Sequence, residues 1–218
     1  MSNGEALLVD SPLGGDAMVG VVIGLVKQTT DDPLKLGRVL LTFPTLNIAS
    51  AWARVASFAA GPNKGAYFLP AEQDEVVVAF EQGDVSKPYV VGVLWNGQDA
   101  SPVDASKIQD VRRIQTKSGS YLEFDDTDSA VKITISDKNS NTIVIDTQNN
   151  TISITSTGKI NISAGDAMTI SVTKKLTITA QEIEMAAQEG NLTVSSQGNT
   201  SVMSNAEISL NGTMINLN

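Results

Sequence analysis

From Thr151 to Asn218 the chain repeats every eight residues. Counting in eights from Ile154 reaches Ile162, Ile170, Ile178, Ala186, Val194, Val202 and Leu210, and Ile152, Ile160, Met168, Leu176, Leu192 and Ile208 stand two residues ahead of six of these positions. Apolar residues two apart share one face of a β-strand. Eight residues therefore read as a short strand and a tight corner, stacked again and again as a solenoid. Gly158, Gly190 and Gly198 share one octad position, where a corner is expected to want a residue without a Cβ. The pattern slips by one residue near Ile183 and Met185, which reads as a local bulge.

An eight-residue strand with one apolar stripe cannot enclose that stripe alone, because a single-chain β-solenoid needs about three strands, or roughly 20 residues, per coil. Eight residues supply one side of a core. Three identical chains, each giving one side at every level, would close it, with Ile154, Ile162, Ile170, Ile178, Val194, Val202 and Leu210 at the axis and Thr, Ser and Asn outside. Intertwining also pairs strand edges that would otherwise stay open. Nine stacked strands per face at ~4.8 Å make a shaft of roughly 40–45 Å.

Composition divides the chain in two. All seven prolines lie between Pro12 and Pro102 and no aromatic residue follows Phe124, whereas Ser, Thr and Asn fill 37 of the last 94 positions. Uniform β-branched layers without proline stack with unbroken ladders, which fits the octad half. The earlier half reads differently. Val19–Val26, Gly37–Pro44, Trp52–Ala56, Glu75–Phe80 and Tyr89–Trp95 are strand-like runs set off by turn signals such as Asp31-Asp32-Pro33, Gly83-Asp84 and Asn96-Gly97. Five short strands in about 80 residues point to a small closed barrel or sandwich. Past a polar linker, Tyr121–Phe124, Val131–Ile135 and Thr142–Ile145 alternate cleanly between Asn-rich turns at Asn139–Asn141 and Asn149-Asn150. The organisation expected is an arm over 1–17, a barrel over 18–100, a linker leading into the shaft over 101–120, and a shaft over 121–218.

The landmarks Leu36-Gly37-Arg38-Val39, Phe43-Pro44, Trp52-Ala53-Arg54-Val55, Gly65, Leu69-Pro70, Asp74–Glu81, Gly83-Asp84, Pro88, Val91-Gly92 and Asn96-Gly97 occur in order over about residues 18–100. In this the chain resembles the OB-fold of contractile-tail spikes, a family that includes phage baseplate assembly protein V, the puncturing device of contractile phage tails and the VgrG proteins of type VI secretion. Arg112–Ser120 followed by Leu122–Asp126 is similar to the start of that family's β-helix. The resemblance implies an all-β protein with an N-terminal OB-fold barrel, followed by an intertwined homotrimeric triangular β-helix. It also implies attachment to a hub protein of the baseplate and transient contact with a target membrane as the tip pierces the envelope. Neither a lysozyme-like insertion nor a fused hub is expected. Some phage spikes close their tip with a histidine-ligated iron, and this chain has no histidine. Met214, Ile215 and Leu217 are therefore expected to contact a separate PAAR-like tip protein.

Several chemistries are excluded or disfavoured. Without histidine or cysteine there is no Ser/His/Asp or Cys/His nucleophile, no thiolate metal site and no disulfide. Asp125, Asp126 and Asp128 are the densest carboxylate cluster, but their spacing matches no cation-binding loop and reads as a solvated turn. Neither a catalytic residue, a cofactor nor a metal is expected. A net charge of −9 disfavours nucleic acid, so Trp52, Phe58, Tyr67, Phe68, Phe80, Tyr89 and Trp95 read as core or subunit contacts rather than base-stacking platforms. No secretory signal opens the sequence, and the longest apolar run, Met18–Val26, is explained by a barrel strand. The resemblance implies a place in the baseplate, at the tube tip, of a virion or phage-tail-like particle, and without a visible signal the chain is expected to be made in the cytoplasm. A trimeric fibre or adhesin with a receptor-binding end, and a β-helical polysaccharide-degrading enzyme, are the alternatives from other classes.

Overall fold

The structure, a computed structural model, describes residues 8–10, 16–18 and 20–216. Fourteen strands and two short 3-10 turns make the described part all-β. Of the segment read as an arm, β1 (Leu8–Asp10) and β2 (Asp16–Met18) pair antiparallel, a local ladder that its weak periodicity did not signal. Strands β3 (Val21–Gln28), β4 (Val39–Thr42), β5 (Ala51–Val55), β8 (Glu75–Phe80) and β9 (Pro88–Leu94) form a closed barrel in the order β3-β4-β5-β9-β8. Each lies within two residues of a run read from the sequence, and of barrel or sandwich the chain adopts the barrel. Its neighbours are antiparallel except β5 and β9, whose parallel pairing of Arg54 with Tyr89 and Val55 with Val90 closes the ring.

Alternation explains the core. Val22, Gly24 and Val26 of β3, Val39 and Leu41 of β4, and Val76, Val78 and Phe80 of β8 turn inward, with Phe43 against Phe80 at 5.7 Å between ring centroids. A Cβ on Gly24 would lie 3.2 Å from a methyl of Val78 on the neighbouring strand β8, so glycine leaves room for the valines of β8 inside the barrel. Between β3 and β4 the buried Asp32 carboxylate organises the turn. Its Oδ1 accepts from Nε and Nη2 of Arg38 (3.0 and 2.6 Å), and its two oxygens take the N–H groups of Leu34, Leu36 and Arg38. Arg38 foremost, then these N–H groups, outweigh burial and hold Asp32 far below the ordinary carboxylate range. Between β5 and β8 a minor ladder, β6 (Ala60–Gly61) and β7 (Lys64–Gly65), is tied by the Ser57 hydroxyl donating to Ala66 O at 2.7 Å. A Cβ on Gly65, at φ +146°, would meet Ala59 O at 2.6 Å, so only glycine fits there.

Beginning inside the segment read as linker and shaft entry, β10 (Val111–Gln115), β11 (Tyr121–Asp125), β12 (Lys132–Ser136), β13 (Thr142–Asp146) and β14 (Thr151–Thr155) form an antiparallel meander in sequence order. The Asn-rich turns sit where they were expected, with Ser140 and Asn150 at positive φ. Asp137 accepts from the Asn141 side chain at 2.8 Å and from the N–H groups of Asn141 and Asn139, and Asp146 is held likewise by Asn149. These side-chain and then backbone hydrogen bonds lower both carboxyl pKa values. The described residues up to 160 form one compact unit and those from 161 onward another. From residue 156 to 216 there is no strand pairing.

Candidate assembly surface

Strand register sorts the meander into two unlike faces. On one face Ile114, Leu122, Ile135, Ile143 and Ile154 lie in one transverse row, and Arg112, Phe124, Ile133, Ile145 and Ile152 in the next. Nine of these ten positions are apolar, yet seven of the nine are exposed. The exception, Arg112, turns its Nη1 onto the carbonyls of Ile108, Gln109 and Val111 (3.2, 3.1 and 2.9 Å) and so fastens the linker to the first strand. The opposite face is polar and better covered. Arg113 pairs with Glu123 and lies over the Tyr121 ring at 4.4 Å, and Asp125, only 3 % exposed, meets Lys107 at 3.6 Å. Such an inversion, apolar outside and polar covered, marks a surface built to be enclosed by something else.

The octad half carries the same asymmetry further. Its backbone bends about every eight residues, at 157–158, 165–166, 173–174, 181, 188–190, 197–198, 205–206 and 213. Between bends lie six-residue runs whose second and fourth places hold apolar residues, except for Thr200 in the second place of run 199–204. Ile162, Ile170, Ile178, Val194, Val202 and Leu210, together with Ile154 on β14, are all between 60% and 73% exposed. Met214 and Ile215 are exposed too, and Leu217 lies outside the described residues. Moving one such side chain from water to a core is worth roughly 1.5–3 kcal/mol. Seven of them left in water forfeit as much as a domain's whole net stability of about 5–15 kcal/mol.

Two features of this half differ from the sequence reading. Gly158, Gly190 and Gly198 do lie in bends, but none has positive φ and each has open space where a Cβ would stand, so this backbone does not require glycine at the corner. Serine is the recurring corner device. Ser156, Ser196 and Ser204 share one octad position, and the hydroxyl of each accepts the N–H two residues on, from Gly158, Gly198 and Ala206, at 3.1 Å. The slip near Ile183 has a cause as well. The bend at Gln181 is one residue long and the next spans three, so the run 182–187 starts early and keeps Ile183 and Met185 in its second and fourth places. The apolar residue at that level is Met185, where octad counting reaches Ala186.

Among the seven aromatic residues weighed as platforms, Phe80 alone belongs to the core. Trp52 lies under Arg38 and Tyr89 under Arg54 (5.8 and 5.1 Å), with the Tyr89 hydroxyl donating to Glu81, while Phe58, Tyr67, Phe68 and Trp95 face outward. Of core packing and subunit contact, the two readings open for these residues, core packing is removed for those four. Asp126 and Asp128 lie exposed in the turn after β11, as read, whereas Asp125 ends the strand and is buried, accepting the Thr127 N–H at 3.0 Å, so the solvated reading fails for it. Among the described residues no group of three His, Cys, Asp or Glu is placed to hold a metal ion, and no helix is long and apolar enough to cross a membrane.

Residues 22–95 match the family described as type VI secretion system/phage-baseplate injector OB domain. Three curated proteins of Pseudomonas aeruginosa, the type VI secretion system spike proteins VgrG1a, VgrG1c and VgrG1b, are each 34% identical to this chain over 56 residues, or 26% of its length. The alignment covers 9% of VgrG1a and 8% of the other two, so the chain spans a small part of those relatives. The matched stretch coincides with the barrel and ends at Trp95, ahead of the meander and the octads.

Proposed function

We propose, from the match of residues 22–95 to the injector OB-domain family of type VI secretion systems and phage baseplates, that the chain is the central spike at the tip of the inner tube of a contractile injection machine. It acts mechanically. Three copies form a collar from their barrels and a stiff shaft from their octads, joining the hub behind to the point that pierces a target envelope. One observation carries this reading: the injector barrel is followed by about sixty residues whose apolar stripe lies wholly exposed in a single chain. Burying that stripe needs partners with the same spacing, and identical copies supply it at every level.

Closed β-ladders are also what the mechanical role demands. A rod loaded along its axis resists buckling when every level is braced by backbone hydrogen bonds to neighbouring strands and by dry packing inside, and helical or loop elements would yield first. Covering Met214, Ile215 and Leu217 at the point is assigned to a small separate cap of the PAAR-repeat kind. Truncation after Asn211 should then abolish cap binding and leave the assembled collar intact, and recovery of the cap with the truncated chain would refute that assignment. For the function itself, purified contractile particles carrying an N-terminally tagged copy of the chain should show the tag at the tube end inside the baseplate. Label along the sheath or on peripheral fibres would contradict the spike reading.

A further inference from the structure

Perfect octads cannot by themselves fix how three chains align. Sliding one chain by eight residues returns every run to a run and every apolar level to an apolar level, so a strictly periodic shaft pairs equally well in several registers. This chain breaks its period at one place. Runs 159–164, 167–172 and 175–180 are separated by two-residue bends, whereas the run Glu182–Ala187 follows the one-residue bend at Gln181 and precedes the three-residue bend at Gln188–Gly190. Its apolar residues therefore stand seven residues after Leu176 and Ile178, and nine before Leu192 and Val194. Glu182 and Glu184 fill its first and third places. In regular phase the second and fourth places would fall to Glu184 and Ala186. A second irregularity lies at Thr200, a polar residue in the second place of run 199–204, where the neighbouring runs have Leu192 and Ile208.

We propose that Glu182–Ala187, with its short and long corners, is the register key of the shaft, fixing which level of one chain meets which level of its two copies. The proposal rests on the trimeric reading above. In register, three displaced runs share one level, all with Ile183 and Met185 inward and their carboxylates outward. After a slip of eight residues the displaced run of one chain meets regular runs of the others. Taking up their corner phase turns it by one residue, and since strand faces alternate, Glu184 and Ala186 replace Ile183 and Met185 inside. An unpaired carboxylate among apolar neighbours is then desolvated, which disfavours the slipped state strongly. Thr200 opposes the same slip more weakly, by facing Leu192 or Ile208 in place of its own counterparts. The key thus acts as a buried polar device does in a coiled coil, by raising the free energy of wrong alignments.

Methyl NMR of the full-length protein with labelled isoleucine tests this, because an in-register trimer is threefold symmetric and gives one signal per isoleucine, while a slipped chain breaks the symmetry. Light scattering on the same samples reports the mass. The parent should give single signals for Ile160, Ile162, Ile208 and Ile215. A variant with one serine inserted after Gln181 and Gln188 deleted, which restores even octads, should remain trimeric and give several signals for Ile208 and Ile215 while Ile23 of the barrel stays single. Slipped forms should rise at least roughly tenfold over the parent. Should that variant not assemble, Glu184→Leu, which lets the run sit in either phase, should produce the same splitting. Single signals in every assembled variant, or split signals in the parent, would overturn the register key and leave the trimer standing. A parent of single-chain mass would instead refute the trimeric reading.

Discussion

Two stretches of similar length bury their apolar residues on different scales. Between Val21 and Leu94 alternating strands curl until β5 meets β9, and Val26, Val39, Leu41 and Val76 lose all contact with water within one chain. Between 156 and 216 equally regular alternation leaves every apolar residue exposed and every run without a paired neighbour. The meander stands between the two, with its strands paired and its apolar face still open. Alternation therefore specifies a face in all three regions, and the length of the repeat decides whether one chain can close on it. A barrel strand is followed by enough chain to bring in four others, and an octad is followed by another octad pointing the same way.

The largest effect expected from this contrast is in the octad core. Ile170→Asp or Ile178→Asp places three like charges near the axis at one level, at a cost of several kcal/mol per trimer, about 3 or more, and should abolish assembly in sedimentation runs. Thr169→Asp and Thr177→Asp, one residue away and outward by the strand pleat, should leave assembly and melting unchanged. Equal behaviour of the two pairs would break the assigned facing.

Next comes a difference in kind. Leu41→Ala removes a fully buried side chain from the barrel and should cost about 2–5 kcal/mol, shifting a barrel unfolding step that does not depend on protein concentration. Leu210→Ala should lower a shaft transition that moves with concentration, because association supplies its stability. A concentration-dependent barrel step would blur the distinction.

Acid should act on the turns first. Asp32, Asp137 and Asp146 have folded-state pKa values below the ordinary 3.8, so the stability they give is present above that value and lost as pH falls through their lowered values. Melting temperature should hold from pH 7 to about 4 and fall below it. Asp32→Asn should lower the barrel's midpoint at pH 7 and flatten its acid dependence, and an unchanged acid limb would show that Arg38 does not set it.

The smallest effect is at the corners. Ser196→Ala or Ser204→Ala should cost about 0.5–1 kcal/mol per chain, read as a small loss in shaft melting and none in the barrel.

Much of this was legible in the sequence, for reasons that particular residues make plain. The five barrel strands, the turn at Asp31-Asp32-Pro33 and the Asn-rich turns near Ser140 and Asn150 follow from local alternation and turn chemistry, which the tertiary structure reinforces. Pairing of β1 with β2 was not legible, because three-residue strands carry too little pattern to separate from a loop. Outward placement of Phe58, Tyr67, Phe68 and Trp95 was half legible, since core and subunit contact both stood open in the sequence, and none of the four falls in a barrel strand: Phe58, Tyr67 and Phe68 lie between β5 and β8 and Trp95 lies just past β9. The assembly surface was half legible. Ile154 through Leu210 stood out by their period, whereas Ile114, Leu122, Phe124, Ile135 and Ile143 join the same kind of face only through a register that sequence spacing does not give. The serine corners were visible at positions 156, 196 and 204, but glycine at the neighbouring position drew the attention.

The decisive property of the molecule is whether one chain suffices to close its shaft. Multi-angle light scattering of the purified full-length protein at micromolar concentration measures that directly. The account predicts an elongated particle of three times the chain mass of 23.0 kDa, and a stable, compact particle of 23.0 kDa would contradict it.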